Sequence, residues 1–145
     1  MSSFLFLDVS VWLALTSSRH AHHAVAVRWW DSIDDARVYF CRFTQLGLLR
    51  LLTTSQVMGE DAVSQSEAWT AYRGWFKDSR VGFHLEPDTP ELERSFHRLS
   101  MGPHPSPKLW ADAYLAAFAS VAELTLVTFD RALGAMTPGH ALVLS

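Results

Sequence analysis

The sequence predicts a three-layer α/β/α domain with a mainly parallel central sheet. Two short apolar runs, Phe4 to Leu7 and Leu124 to Thr128, lack the polar alternation of a half-exposed strand, which is typical of strands buried on both faces. Segments with helical periodicity separate the predicted strands, and this alternation favours parallel pairing. The chain has 145 residues, of which 49% are hydrophobic and 19% charged, so we expect residues 1–145 to form a single domain.

The predicted elements alternate along the chain. In order, they are a strand at Phe4 to Leu7, helices at Val9 to Leu15 and Ala21 to Trp30, a strand at Arg37 to Phe43, helices at Leu46 to Leu52 and Ser66 to Phe76, a strand at Val81 to Leu85, helices at Glu91 to Leu99 and Pro107 to about Ala122, and a strand at Leu124 to Thr128. Helices are predicted from apolar residues spaced three and four apart, and strands from apolar or β-branched runs between turn-rich segments. Ser106 and Pro107 predict an N-cap and the first position of a helix.

Charge and cysteine content narrow the class of protein. The formal net charge of -3 gives the whole molecule no attraction for nucleic acid, so any RNA contact must come from a local basic patch. The single cysteine, Cys41, excludes an intrachain disulfide framework and any multi-cysteine metal site. No secretory signal or membrane span is apparent, and we expect a soluble, cytoplasmic protein with no membrane contact.

Two aspartates follow the apolar strands. Asp8 closes the first strand and Asp130 follows the last one. If both strands lie parallel in one sheet, both carboxylates project at the same edge, which is where ligands bind in α/β folds. The structural alternative for each is a helix N-cap or a turn residue.

A third aspartate, Asp112, lies in a predicted helix that is almost entirely apolar from Leu109 to Ala119. A buried carboxylate requires a cation, a set of hydrogen-bond donors or a metal, and an arginine partner is the purely structural alternative. Three converging carboxylates repel one another unless a cation lies among them, and oxygen ligands suit Mg²⁺ or Mn²⁺. A divalent metal with open positions is the equipment for phosphodiester hydrolysis.

These segments resemble a known family. Asp8 after an N-terminal strand, the helix Trp110-Ala111-Asp112-Ala113-Tyr114-Leu115-Ala116-Ala117, and Leu126-Val127-Thr128-Phe129-Asp130 together resemble the PIN-domain ribonucleases, specifically the VapC toxins of VapBC toxin-antitoxin modules. The resemblance spans Asp8 to Asp130. It implies a Mg²⁺-dependent endoribonuclease with Asp8, Asp112 and Asp130 as metal ligands, usually a homodimer, held inactive by a small VapB-like antitoxin.

One position departs from the family pattern. PIN domains usually carry a glutamate at the start of the helix after the second strand, where this chain offers Gln45 or Gly47. Glutamine keeps an oxygen ligand without charge, and glycine keeps neither. Glu60, after a predicted break, is the candidate for the missing catalytic carboxylate, and a solvated loop residue is the alternative.

Other residues are candidates for binding. Arg42 and Arg50 are expected near the site edge, where they could bind an RNA phosphate, the alternative being solvated or carboxylate-paired arginines. Trp110, two residues before Asp112, is the best-placed tryptophan for stacking on a base. The following tryptophans predict an apolar groove for an antitoxin helix: Trp12, Trp29 and Trp30.

Two other functions compete with the nuclease. Because the fourth acid is absent from its usual position, the alternative function is a catalytically weak or silent PIN scaffold that binds RNA or a protein. A dehalogenase-like phosphatase is disfavoured because Ser10 stands where that chemistry requires a second carboxylate.

Overall fold

The computed structural model describes residues 3–145, which form a five-stranded, all-parallel sheet with helices on both faces. The strands are β1 (Ser3–Leu7), β2 (Ala36–Phe40), β3 (Val81–Phe83), β4 (Thr125–Thr128) and β5 (Ala141–Val143). The helices are α1 (Val9–Thr16), α2 (His23–Ser32), α3 (Arg42–Leu52), α4 (Ser55–Met58), α5 (Gln65–Trp75), α6 (Thr89–Ser100), α7 (Leu109–Val121) and α8 (Arg131–Ala135), with a 3-10 helix at Gly59–Asp61. The predicted three-layer α/β/α architecture is confirmed.

The strand order, β3-β2-β1-β4-β5, places the first strand at the centre of the sheet. Phe6 in β1 pairs with Tyr39 in β2 on one side and with Leu126 in β4 on the other. The chain therefore builds the sheet outward through β2 and β3, then returns to the other side of β1 for β4 and β5. In parallel sheets, such a reversal opens a crevice at the carboxyl ends of the two central strands, here β1 and β4.

The core has two halves, one on each face of the sheet. Alternation along β1 directs Leu5 and Leu7 toward the half that contains α1, α2, α3 and α5, and directs Phe6 toward α7. Trp12 stacks on Phe40 in the first half, with ring centroids 3.8 Å apart. In the second half, Phe6 stacks on Phe118 at 4.7 Å. These large aromatic contacts hold both helical layers against the sheet.

The tryptophan-rich surface that was expected to receive an antitoxin helix is not a surface. Trp12 is fully buried and Trp30 is only 7% exposed. Trp29 is partly buried and packs against the same core, so the predicted groove of three tryptophans is wrong. Tertiary packing buries the Trp12 and Trp30 rings against each other, with centroids 5.9 Å apart.

Two of the predicted boundaries that the structure moves lie close to candidate site residues. The strand expected to reach Phe43 ends at Phe40, because the Thr44 hydroxyl accepts from the backbone N–H of Cys41 at 2.9 Å and begins α3 at Arg42. The helix expected from Pro107 begins at Leu109, whose N–H donates to the Ser106 carbonyl at 3.0 Å and closes a turn first. A helix from Pro107 would have placed Asp112 in its second turn, whereas Asp112 lies in the first turn of α7.

The C-terminal elements α8 and β5 were not predicted. Strand β5 has only three residues and pairs Leu142 with Val127 of β4, a contact between distant positions that local patterns do not reveal. Among residues 3–145, no helix is both long and apolar enough to cross a membrane.

Candidate active site

Asp8 and Asp130 lie side by side at the carboxyl ends of the paired strands β1 and β4. The Thr128 hydroxyl joins them, since it donates to Asp8 Oδ2 at 2.9 Å and accepts from the backbone N–H of Asp130 at 3.0 Å. The Ser10 hydroxyl also donates to Asp8 Oδ2, at 3.1 Å. The predicted convergence at one sheet edge is therefore present, and the hydroxyls of Thr128 and Ser10 orient the Asp8 carboxylate.

The N-cap alternative applies to one of these aspartates and not to the other. Asp130 Oδ1 accepts from the backbone N–H groups of Ala132 and Leu133 at 2.8 and 3.3 Å, and so caps α8. Asp8 occupies the N-cap position of α1, but its side chain makes no capping hydrogen bond. The Asp8 carboxylate therefore does not cap a helix. Asp130 caps α8 through Oδ1, and its second oxygen, Oδ2, takes no part in the cap.

Asp112 faces the other two acids from the first turn of α7. Burial, and then the charges of Asp130 and Asp8, raise the pKa of the Asp112 carboxyl, while the charge of Lys108 opposes them. No residue in the described part of the chain donates a hydrogen bond to this carboxylate, and no arginine pairs with it. The arginine partner considered as the structural alternative is therefore absent within residues 3–145.

Lys108 supplies a cation at this edge, and the sequence patterns gave no reason to select it. Its Nζ donates to Asp130 Oδ2 at 3.1 Å, although 78% of the lysine side chain is exposed. This hydrogen bond lowers the pKa of Asp130, and it raises the pKa of Lys108 with help from the charges of Asp112 and Asp8. Lys108 precedes Asp112 by four residues, but its bonded partner is Asp130, 22 residues further along the chain. Its reach to Asp130 depends on the fold.

The start of α3 contributes no carboxylate. Gln45 is 5% exposed and its Oε1 accepts from Arg42 Nη1. A Cβ added to Gly47 would lie 2.7 Å from Val9 Cγ2, so the place of a side chain at position 47 is filled by α1. The glycine at this position is required by close packing between α1 and α3.

Glu60 is not brought to the three aspartates. It is exposed in the 3-10 helix, where the neighbouring Asp61 pairs with Arg19 at 3.5 Å, just beyond the end of α1. Asp8 precedes the other end of α1, which is eight residues long. The charges that act on Asp112 include Asp8 and Asp130 but not Glu60. The position of Glu60 therefore does not support its predicted role as the fourth acid.

The two candidate RNA-binding arginines are separated along α3. Arg42 begins the helix at the sheet edge, and its guanidinium lies over the Phe83 ring, 5.0 Å from the centroid. Arg50 lies in the last turn of α3, about 12 Å further along the axis. Arg42 lies at the carboxyl end of β2 and Arg50 does not, because the helix begins four residues earlier than the pattern predicted.

The carboxylate oxygens of Asp8, Asp112 and Asp130 are chemically suited to bind a hard divalent cation. Of these three carboxylates, Asp112 accepts no hydrogen bond from a described residue, and burial together with the charges of Asp130 and Asp8 raises the pKa of Asp112. Within residues 3–145, no three His, Cys, Asp or Glu side chains are arranged so that they could hold a metal ion as they stand. A cation held by all three carboxylates would therefore need these side chains to adopt other positions than those described.

The fold and this acidic edge define a class of protein. The family model of the PIN domain matches residues 5–137, and the chain belongs to the PIN-domain family. In sequence, the chain is 42% identical over 133 residues to Ribonuclease VapC41 of Mycobacterium tuberculosis, a match that covers 88% of this chain and 90% of that relative.

Solved structures share the fold. VapC20 of Mycobacterium tuberculosis, described as a sarcin-ricin-loop-cleaving toxin, is similar with a TM-score of 0.66 and 19% identity, covering 97% of this chain and 99% of that chain. VapBC2 of Rickettsia felis, solved with a DNA fragment from its promoter, is similar with a TM-score of 0.65 and 9% identity, covering 98% and 99%.

Proposed function

We propose that this protein is a divalent-metal-dependent endoribonuclease that acts as the toxin of a toxin-antitoxin pair. The observation that carries the proposal is the convergence of Asp8, Asp112 and Asp130 at the carboxyl edge of β1 and β4, in a chain that is 42% identical to a ribonuclease named VapC41. RNA is the proposed substrate, and its phosphodiester bonds are the proposed point of attack.

Asp8, Asp112 and Asp130 would hold the metal, Mg²⁺ or Mn²⁺. The chemistry that the bound cation supplies is neutralisation of phosphate charge and activation of water at neutral pH. Among the protein's own groups, Thr128 orients Asp8, and Lys108 pairs with Asp130, where a bound cation would have to replace it. Arg42, at the same edge, would bind an adjoining RNA phosphate.

The test is cleavage of structured and unstructured RNA by the purified protein, with and without Mg²⁺ or Mn²⁺. Asp8→Asn is expected to abolish cleavage while the melting temperature shows a folded protein, because Asp8 lies at the site edge and caps no helix through its side chain. Cleavage by the folded variant at more than a small fraction of the wild-type rate would overturn the assignment of Asp8.

One observation favours the alternative of an RNA-binding PIN scaffold without catalysis. The first turns of α3 present Gln45 and Gly47, and neither can act as the fourth acid. RNA binding without metal-dependent turnover in the same assay would support this scaffold and exclude the nuclease.

The proposed partner is a small VapB-like antitoxin with a basic side chain that enters the acidic edge. Such a side chain would compete with the metal for Asp8, Asp112 and Asp130, as Lys108 already does for Asp130. We expect expression of this chain alone to arrest growth, Asp8→Asn to relieve the arrest, and a short reading frame to lie beside the gene. A homodimer is the expected assembly, and size-exclusion chromatography with light scattering tests it.

A further inference from the structure

An aromatic groove lies beside the acidic edge and has no part in the chemistry proposed for the aspartates. Its volume is about 590 Å³, and its walls include Phe43 from α3 and Trp110 and Tyr114 from α7. Trp110 is 59% exposed and Phe43 is 37% exposed, which is unusual for side chains of this size in one concave surface. We refer to this feature as the aromatic groove.

The walls of the aromatic groove are held in place by their neighbours. The Tyr114 hydroxyl donates to Glu86 Oε2 at 2.7 Å, and the Tyr114 ring packs against Phe43 with centroids 5.5 Å apart. Phe96 meets Trp110 edge to face at 6.3 Å. A flat aromatic ligand can therefore stack in the groove without first ordering its walls.

The groove and the acids share the first turns of α7. Pro107 and Ala111 line the groove, while the next residue after each, Lys108 and Asp112, belongs to the acidic edge. Two further groove elements, the start of α3 and the segment after β3, also lie at the carboxyl ends of their strands, while Phe96 of α6 completes the wall. A chain that places a phosphate at the acids can thus place the neighbouring unit in the groove.

Two charged residues line the aromatic groove, Arg42 and Glu86. Glu86 Oε2 already accepts from the Tyr114 hydroxyl, so Arg42 is the charged group that a nucleotide phosphate would contact. The Arg42 guanidinium is held by Gln45 Oε1 and by the Phe83 ring. A π-stacking wall with an adjacent fixed guanidinium matches the two parts of a nucleotide, its base and its phosphate. An apolar side chain of a protein partner would pack against the aromatic wall and would make no contact with the charge of Arg42.

We propose that the aromatic groove binds one unpaired base of the RNA, stacked on Trp110, with Arg42 on the adjoining phosphate. The proposal rests on the proposed nuclease function and names its substrate class: RNA with an unpaired nucleotide beside the cleaved bond. Base pairing would keep the base in its helix and out of the groove.

The experiment compares two fluorescent single-stranded oligonucleotides of about eight nucleotides, an oligo(rA) and an abasic oligomer of equal charge. Binding is measured by fluorescence anisotropy with Asp8→Asn protein, so that RNA is not consumed. Oligo(rA) is expected to bind about 5- to 150-fold more tightly than the abasic oligomer, the range for stacking of one base. Trp110→Ala should remove this preference and Trp110→Phe should keep most of it.

Trp69→Ala is the matched control, because Trp69 is also exposed but lines a separate groove between α3 and α5. Equal binding of the two oligonucleotides by protein with Trp110 intact would overturn the proposal, and this comparison requires no groove variant. Loss of antitoxin binding in Trp110→Ala, with the base preference retained, would overturn it in favour of a protein-docking groove. Failure of wild-type protein to cleave any RNA with metal would instead refute the proposed function.

Discussion

Replacing Gly47 with alanine is expected to destabilise the protein, although the same change inside a helix is normally stabilising. A Cβ at position 47 would lie 2.7 Å from Val9 Cγ2 and 3.1 Å from Val9 Cγ1. Val9 is the first residue of α1, where a β-branched side chain has one strongly preferred rotamer and cannot turn away at low cost. Because Val9 directly follows Asp8, a displacement of Val9 would also displace the Asp8 carboxylate at the acidic edge.

The magnitude follows from two opposing terms. Inserting a methyl group into a packed contact costs about 1–3 kcal/mol, and replacing glycine by alanine within a helix returns about 1 kcal/mol. The net loss in the free energy of unfolding is therefore about 0–2 kcal/mol. Gly74 in α5 is the control, since a Cβ built there meets nothing within 4 Å. Gly74→Ala has only the favourable term, so the two variants should differ by about 1–3 kcal/mol, or about 3–9 °C in Tm.

Urea and thermal denaturation of both variants measure this difference. Adding Val9→Ala to Gly47→Ala removes both methyl groups that the new Cβ would meet, and should recover stability relative to the sum of the single changes. RNA cleavage should fall in Gly47→Ala and recover in the double variant, because displacement of Val9 also displaces Asp8. If Gly47→Ala stabilises the protein as much as Gly74→Ala does, the packing argument for α1 and α3 is refuted.

Three further predictions concern charges. Lys108→Met should raise the pKa of Asp130 toward its ordinary value and tighten Mg²⁺ binding measured by calorimetry, because the competing ammonium is gone; unchanged or weaker binding would contradict this. Asp112→Asn should raise the Tm of the metal-free protein at neutral pH and reduce its stabilisation by Mg²⁺. Because the pKa of Asp112 is higher in the folded protein, the free energy of unfolding falls as the pH rises from the unfolded pKa through the folded pKa. The Asp112→Asn variant should lack that decline. A lower Tm in the variant would refute the argument from charge repulsion. Arg80→Lys should cost about 1–2 kcal/mol at pH 7 by urea denaturation, because the guanidinium bonds both Asp78 oxygens and two backbone carbonyls at the end of α2. Since Arg80 lowers the pKa of Asp78, the pair's stability is present above the unfolded pKa and is lost as pH falls through the folded pKa, and a cost that did not shrink there would contradict the pairing.

Local sequence patterns were sufficient to predict the strands that are buried on both faces. The apolar run before Asp8 predicts a strand because both faces of β1 are covered by helices, and the same holds for the run before Asp130. Parallel pairing then places the ends of such strands at one edge, so two of the site residues could be found without coordinates. Asp112 could be found because a carboxylate is conspicuous in an apolar helix.

Positions that depend on contacts between distant segments were decided by the tertiary structure. The place of Glu60 depends on how the segment after α3 packs at the end of α1, and no pattern near Glu60 records it. The burial of Trp12 depends on partners in α2, α5 and β2, so its aromatic character alone could not distinguish a core residue from a binding surface.

The sequence by itself determined the α/β class, four of the five strands with most of the helices between them, and three acids that belong at one edge, because alternation and strand-end positions are local properties of the chain. The tertiary structure alone decided that Lys108 bonds Asp130, that Gly47 is closed off by Val9, and that Trp110 lines a groove beside the acids. The physical reason is that each of these features is a contact across the fold. Its free energy depends on distances and burial that residue type and spacing do not encode.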